Sequence, residues 1–323
     1  TLDFSTMRLS LNERSLHLLE SVADWAEDLG IGRHPLLDGG TVWDFGVHAP
    51  GSLAAGLLLA RLCMADFAHV SLSTGDIGGT AWPVLTVQVE SPVEACLLSQ
   101  YAGWQISVGK FFAMGSGPMR AVAAREELFG TLEYLECPTR CIGVLEGRKL
   151  PDDAVLAYLA EKTNLPADQI TLCIAPTASL AGNTQVVARS VETALHKLFE
   201  LKFDVRRIVS GLGSAPLSPV AKDDLTGIGR TNDAILYGGR VTLWVTGDDD
   251  SIAEIGPKVP SQSSAMYGKP FLEIFEEAGR DFYQIDPHLF SPAEIVFQNI
   301  ETGTVQHFGS PAPEILRRSF LGK

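Results

Sequence analysis

The chain has 323 residues, 46% apolar and 20% charged, which is ordinary for a globular protein and leaves room for about two domains at roughly 150 residues each. With 25 Lys and Arg against 39 Asp and Glu, its formal net charge of −14 argues against a nucleic-acid partner, which would require a basic surface. The longest aliphatic run, residues 53–60, stops at Arg61 and falls far short of the roughly 20 residues a membrane span needs.

Taken in chain order, Leu2, Asp3 and Phe4 followed by a polar stretch lack the basic-then-apolar pattern of a signal peptide, so a cytoplasmic location is expected. Residues 12–29 place Leu16, Leu19, Val22, Ala23 and Ala26 on one face before Gly30, which predicts a helix. Strands are predicted at 41–47, 69–73 and 83–90. Between the first two, residues 52–64 are apolar nearly all round and read as a helix buried between layers. Ser91, Pro92 and Glu94 supply an N-cap, a first-turn proline and a capping acid for another helix. Met114-Gly115-Ser116-Gly117-Pro118-Met119-Arg120 reads as a glycine loop entering an alanine-rich helix that Pro118 opens.

Short strands at 131–135 and 141–145 lead into a polar, turn-rich stretch, where the reading places a boundary. Residues 1–146 form an N-terminal α/β domain and 147–323 a C-terminal one, with the chain free to cross between them. The second half continues with a helix at 152–163, a strand at 170–175, a long helix at 183–202, strands at 207–210, 240–246 and 294–300, and a helix near 271–278. Alternation of helices and strands predicts an α/β fold with mixed sheets. Gly51-Ser52 and Gly182-Asn183 each open a helix after a strand and loop, a weak sign of duplication. Gly, Ser and Pro gather in loops, where α/β scaffolds usually carry their sites.

Five cysteines in so long a chain read as thiols rather than a disulfide framework. Cys137 and Cys141 could reach one metal, but no second close pair and no nearby His completes four ligands, so no metal site is expected. The glycine loop at Gly115, Ser116 and Gly117 offers backbone N–H groups at a helix start, with Arg120 in the first turn, and so suggests a phosphate site; a tight turn is the plain alternative. It is no Walker loop, because Gly-Lys-Ser/Thr is absent, and it lacks the full dinucleotide pattern. Gly227-Ile228-Gly229-Arg230-Thr231-Asn232-Asp233 forms a second such segment, otherwise an ordinary turn into a strand.

On the long helix, Val187, Val191, Ala194, Leu195 and Leu198 share one face, and Gln185, Arg189, Glu192 and His196 share the opposite one. Arg189 and Glu192 are therefore neighbours. A guanidinium beside a carboxylate would keep the acid ionised and oriented to hold a water, unless the pair is simply an exposed ion pair. A second domain facing that polar stripe would decide for function. No Ser-His-Asp triad, nucleophile elbow or His-Glu-x-x-His signature is present.

Several segments together carry a resemblance: Gly103-Trp104-Gln105-Ile106-Ser107-Val108-Gly109, Met114-Gly115-Ser116-Gly117-Pro118, Ala188-Arg189-Ser190-Val191-Glu192-Thr193, and Gly227-Ile228-Gly229-Arg230-Thr231-Asn232-Asp233-Ala234. Pro260-Ser261, Tyr267-Gly268-Lys269-Pro270-Phe271, Asp281-Phe282-Tyr283-Gln284-Ile285-Asp286 and Leu289-Phe290-Ser291-Pro292-Ala293 add to it. In this order, over residues 9–320, they resemble the methenyltetrahydromethanopterin cyclohydrolase family.

The resemblance implies two α/β domains with an active-site cleft between them. It implies hydrolysis of the cyclic 5,10-methenyl group on tetrahydromethanopterin or a close analogue to the 5-formyl form, without metal or nucleotide cofactor, in a homotrimer. Arg189 and Glu192 match the family's Arg and Glu spaced three apart on one helix. Glu192 would then hold and deprotonate water, and Arg189 would orient Glu192. The carrier's phosphate tail gives Gly115, Ser116, Gly117 and Arg120 a purpose as substrate-binding residues, either holding that phosphate or shaping the pocket. Lys110, otherwise a surface lysine, could serve an anion or the reacting ring, and Arg230, Asn232 and Asp233 are further substrate-binding candidates. Two other readings stand beside this one: a non-catalytic pterin carrier, and a phosphate-handling enzyme built on the Gly115 loop, which the missing P-loop lysine disfavours.

Overall fold

The computed structural model describes residues 10–322, Tyr283 by its backbone alone. Leu2, Asp3, Phe4 and Leu9, on which parts of the sequence reading fall, lie outside the described residues. The strands in chain order are β1 (Gly32–Pro35), β2 (Thr41–Asp44), β3 (Ala68–Ile77), β4 (Thr80–Val89), β5 (Trp104–Val108), β6 (Phe111–Ser116), β7 (Cys141–Glu146), β8 (Ile170–Ala175), β9 (Ile208–Pro216), β10 (Arg240–Val245), β11 (Glu294–Asn299) and β12 (Val305–Gly309). The helices are α1 (Leu11–Ser21), α2 (Leu53–Cys63), α3 (Met119–Ala123), α4 (Glu127–Thr131), α5 (Asp153–Thr163), α6 (Leu180–Val187), α7 (Ser190–Glu200), α8 (Asp224–Gly238), α9 (Asp249–Ile255), α10 (Phe271–Glu277) and α11 (Pro313–Leu321), with a π-helix at Val93–Gln100.

The strands make two mixed six-stranded sheets, ordered β1-β2-β8-β7-β6-β5 and β12-β11-β10-β9-β4-β3. In the first, β2, β8 and β7 run parallel; in the second, only β10 and β11 do. The expected α/β class with mixed sheets is what the chain adopts. Its two halves are interleaved, however. β8 joins the first sheet from beyond residue 147, while β3 and β4 join the second from before it, so a cut between 146 and 147 passes through both sheets. Strand pairing is non-local, and a reading of composition along the chain does not register it.

Side-chain alternation in β8 explains the layering of the first sheet. Leu172 and Ile174 enter one core with α5, and Cys173 and Ala175 enter another with α1 and α2. A third, larger core under the second sheet takes Val191, Ala194, Leu195 and Leu198 from α7. Helix α2 lies between layers as its all-round apolarity predicts: Leu58, Leu59 and Leu62 pack toward the first sheet and Ala60 toward the second. Ser52 caps α2 by accepting from Ala55 N. Gly56 lets it approach α6 closely, since a Cβ there would come within 2.5 Å of Thr184 Cβ.

Several predicted elements take another form. The 12–29 helix ends at Ser21 and a 3-10 turn follows at Ala23–Trp25. Residues 132–135 are not a strand but irregular chain after α4. The predicted 183–202 helix is α6 and α7, broken at Ala188 and Arg189, and Gly182 lies inside α6 behind the Ser179 cap. Gly115 and Ser116 end strand β6, and only the five-residue α3 follows Gly117. Residues 227–233 are helical, within α8. Two glycines cost that helix roughly 1 kcal/mol each in propensity. Packing outweighs this: Gly229 sits where a Cβ would meet Leu272 Cβ at 3.0 Å, and Asp223 caps the helix through Thr226 N.

Candidate active site

The break between α6 and α7 places Arg189 at the N-cap of α7 and turns its side chain inward. Its Nη1 donates to Gln100 O at 2.5 Å; its Nη2 donates to Glu146 Oε1 at 2.8 Å and to Ser116 Oγ at 3.3 Å. Glu192 Oε2 lies 3.8 Å from Nη1. Arg189 is 6% exposed and Glu192 4%, so the alternative of an exposed surface ion pair does not hold. Four pieces of chain converge here: the end of the π-helix, the ends of β6 and β7, and the start of α7. Glu146 closes parallel strand β7, on the side where open α/β sheets usually keep ligands.

The predicted polar stripe persists across the helix break. Gln185, Arg189 and Glu192 are buried, and His196 is half-buried. Gln185 Nε2 reaches Cys63 Sγ at 3.4 Å, and Gln100 Nε2 donates to Ala188 O. Yet Gln100 Oε1, Gln185 Oε1, Arg189 Nε and Ser190 Oγ are buried with no protein partner. Buried polar atoms almost always find partners, so such a group marks a place for water or a polar ligand.

Burial pushes the Glu192 carboxyl up to about 7, against the pull of Arg189 and Arg120 and with a further push from Glu146. Arg189 is held above its ordinary range, because its carboxylate neighbours outweigh the desolvation that opposes its charge. Burial also raises Tyr101 to about 12 and lowers His196, and the two rings stack 4.3 Å apart with an interplanar angle of 17°. A carboxyl titrating near neutrality, beside a fixed guanidinium and unpartnered polar atoms, can take a proton from water and return it.

The other predicted residues divide sharply. Ser116 belongs to the site through its contacts with Arg189 and with Cys63 Sγ. Gly115 packs against Ile106, and Gly117 N, far from being a free donor, bonds Ser99 O. Gly117 adopts φ +84, with Val144 N 3.2 Å from where a Cβ would stand. Arg120 turns inward onto protein partners. It is 0% exposed, gives Nη1 to Leu97 O and Ser99 O at 3.1 Å each, pairs with Glu126, and stacks on Tyr101 and Phe129. Its charge neutralises carbonyls at the end of the π-helix that presents Gln100 to Arg189.

Lys110 is exposed in the β5–β6 turn. Arg230 points Nη1 toward Pro219 O and Val220 O, Asn232 bonds Ile228 O, and buried Asp233 accepts from Phe271 N and Ser319 Oγ. None of these three shares a hydrogen-bond partner with Arg189 or Glu192, and Asp233 ties α8 to α10 and α11. Glu146, Gln100, Tyr101 and Cys63 escaped the sequence reading. Of these only Glu146 left a signal, as an acid immediately after the strand predicted at 141–145, which the structure extends to include it. Among the described residues, no three His, Cys, Asp or Glu side chains are grouped as a metal site.

A family model described as Cyclohydrolase (MCH) matches residues 10–320. A methenyltetrahydromethanopterin cyclohydrolase of Rhodopirellula baltica is 46% identical over 302 residues, 92% of this chain and 91% of the relative. Proteins of the same name from Methanosarcina barkeri, 40% identical over 97% of this chain and 98% of the relative, and Methylobacillus flagellatus, 42% identical over 98% and 96%, are also similar. With its buried Arg189 and Glu192 inside a match that spans nearly its whole length, the chain belongs to the methenyltetrahydromethanopterin cyclohydrolase family.

Proposed function

We propose that this protein hydrolyses 5,10-methenyltetrahydromethanopterin, or a close analogue such as the dephospho form, to the 5-formyl derivative, using its own side chains without metal or nucleotide. The observation that carries this reading is the buried Glu192 carboxyl, raised to about 7 and set 3.8 Å from Arg189 amid unpartnered polar atoms. The substrate is an amidinium cation whose bridging carbon is already electrophilic. Water held by Glu192 loses a proton to it as the O–C bond forms, giving a neutral tetrahedral adduct. One C–N bond then breaks, with the proton passing from Glu192 to the departing nitrogen. The remaining hydroxyl proton leaves to solvent as the formyl C=O forms, so the cation's charge departs as H⁺.

Glu192 must be ionised for attack and protonated for ring opening, and a pKa near neutrality serves both steps. Attraction between carboxylate and cation favours binding, but attack neutralises that cation, so position rather than charge must supply the rate. We further place the protein in the cytoplasm as a homotrimer acting in one-carbon metabolism; no helix among the described residues is long and apolar enough to cross a membrane. The test is absorbance of the methenyl substrate on adding metal-free protein without nucleotide. Catalytic loss of the chromophore supports the hydrolase, and stoichiometric titration without turnover would make the protein a pterin carrier instead.

A further inference from the structure

Arg189 stands between two carboxylates and treats them unequally. Glu146 Oε1 lies 2.8 Å from Nη2 in a hydrogen bond, whereas Glu192 Oε2 lies 3.8 Å from Nη1, an ion-pair distance without a hydrogen bond. The Glu146 side chain is 20% exposed and that of Glu192 5%, so the more solvated acid takes the close contact. Gln100 O and Ser116 Oγ occupy further donors of the same guanidinium and fix its plane. We propose that Glu146 is a positioning residue for the catalytic pair: its carboxylate anchors the far edge of the Arg189 guanidinium and prevents it from closing on Glu192.

The chemical consequence follows from what the opposite arrangement would do. A guanidinium hydrogen-bonded directly to a carboxylate typically lowers that acid's pKa by about 1–3 units. Glu192 would then be a weak base toward the attacking water. With the guanidinium held back, burial dominates and the acid sits near neutrality. The groups acting on Glu192 are Arg189 from the start of its own helix, Arg120 from α3, Glu146 from β7, and Tyr101 and the Cys96 thiol from the π-helix and its end, while His196, one turn on in α7, pairs with Glu200. Of the two acids that meet Arg189, Glu146 and Glu192, Glu146 alone does so at hydrogen-bond distance. Its loss acts on Glu192 twice, by removing a negative neighbour and by releasing the guanidinium.

The experiment compares wild type, Glu146→Gln and Glu146→Asp in the full chain. Carbon-13 NMR of labelled Glu carboxyls, with the Glu192 resonance assigned by its absence in Glu192→Gln, gives the Glu192 titration midpoint without any turnover. In Glu146→Gln that midpoint is expected to fall by about one pH unit or more, and in Glu146→Asp, which keeps the charge, by less. The kinetic arm rests on the proposed cyclohydrolase activity: the acidic limb of kcat/KM moves down with the NMR midpoint, and plateau kcat falls about threefold or more while KM changes less. A merely structural Glu146 would lower kcat and leave the limb in place. A midpoint unchanged or raised in Glu146→Gln, or in Glu146→Asp should the amide variant not fold, overturns the proposal. Absence of turnover in wild type would sink the cyclohydrolase reading, and the NMR result would still judge Glu146.

Discussion

Replacing Glu192 with Gln should make the protein a worse catalyst and a more stable fold, and the second effect has a calculable pH dependence. Burial lifts this carboxyl from an ordinary 4.5 to about 7 in the folded chain. Because the folded-state value lies above the unfolded one, the stability contributed by the protonated acid is full below about pH 4.5 and is lost as pH rises through about 7. At about 1.4 kcal/mol per pH unit the whole loss is somewhat above 3 kcal/mol, of which about 2 kcal/mol falls between pH 5.5 and 8.5. Gln cannot ionise and escapes that loss while keeping the shape. Urea unfolding at the two pH values should therefore show the variant gaining on wild type by about 2 kcal/mol as pH rises. Turnover with saturating methenyl substrate should fall about 10²- to 10⁴-fold, the usual contribution of a general base. Parallel stability profiles would mean that Glu192 is not held in a desolvated site, and wild-type kcat would remove it as the base.

Arg189→Ala removes the largest attraction holding the Glu192 carboxyl down, so the acidic limb of kcat/KM should move upward and kcat should fall; the double variant with Glu192→Gln should be little worse than the more damaging single one. Arg120→Ala should cost about 3–5 kcal/mol by stranding Glu126 and the Leu97 and Ser99 carbonyls, measured as a shift in urea midpoint. Its KM change should be equal for substrates with and without the phosphate tail; a selective loss with the tailed substrate would return Arg120 to tail binding. Asp233, which burial raises from 3.8 to about 7, contributes stability that is lost as pH climbs through that window. Asp233→Asn should therefore gain up to about 4 kcal/mol on wild type by pH 8.5, provided the amide still accepts from Phe271 N.

Local chemistry made much of this fold legible. Ser52 caps α2 and Asp152 caps α5, where the sequence places helix starts. Residues 170–175 form a strand with the predicted bounds, because their apolar side chains fill cores on both faces. The short edge strands β1 and β12 were not legible: their residues are mostly exposed or half-buried and carry little apolar pattern. Residues 227–233 misled because glycine signals a turn until a neighbouring helix makes its missing side chain an advantage, as Leu272 does for Gly229.

The sequence by itself determined the alternation of helices and strands, the acid surface that argues against nucleic acid, and the spacing that puts Arg189 and Glu192 side by side. Those are properties of periodicity and composition, readable within one element. Only the tertiary structure decided which partners each arginine meets. Arg120 and Arg189 are both buried cations near the end of the π-helix, but one is saturated by carbonyls and Glu126 while the other keeps an unpartnered Nε and bridges Glu146 and Glu192. It also decided that Glu146, distant in sequence, meets them through a strand end. A buried charge takes its role from the partners that replace water around it, and those partners come from chain segments that only folding brings together.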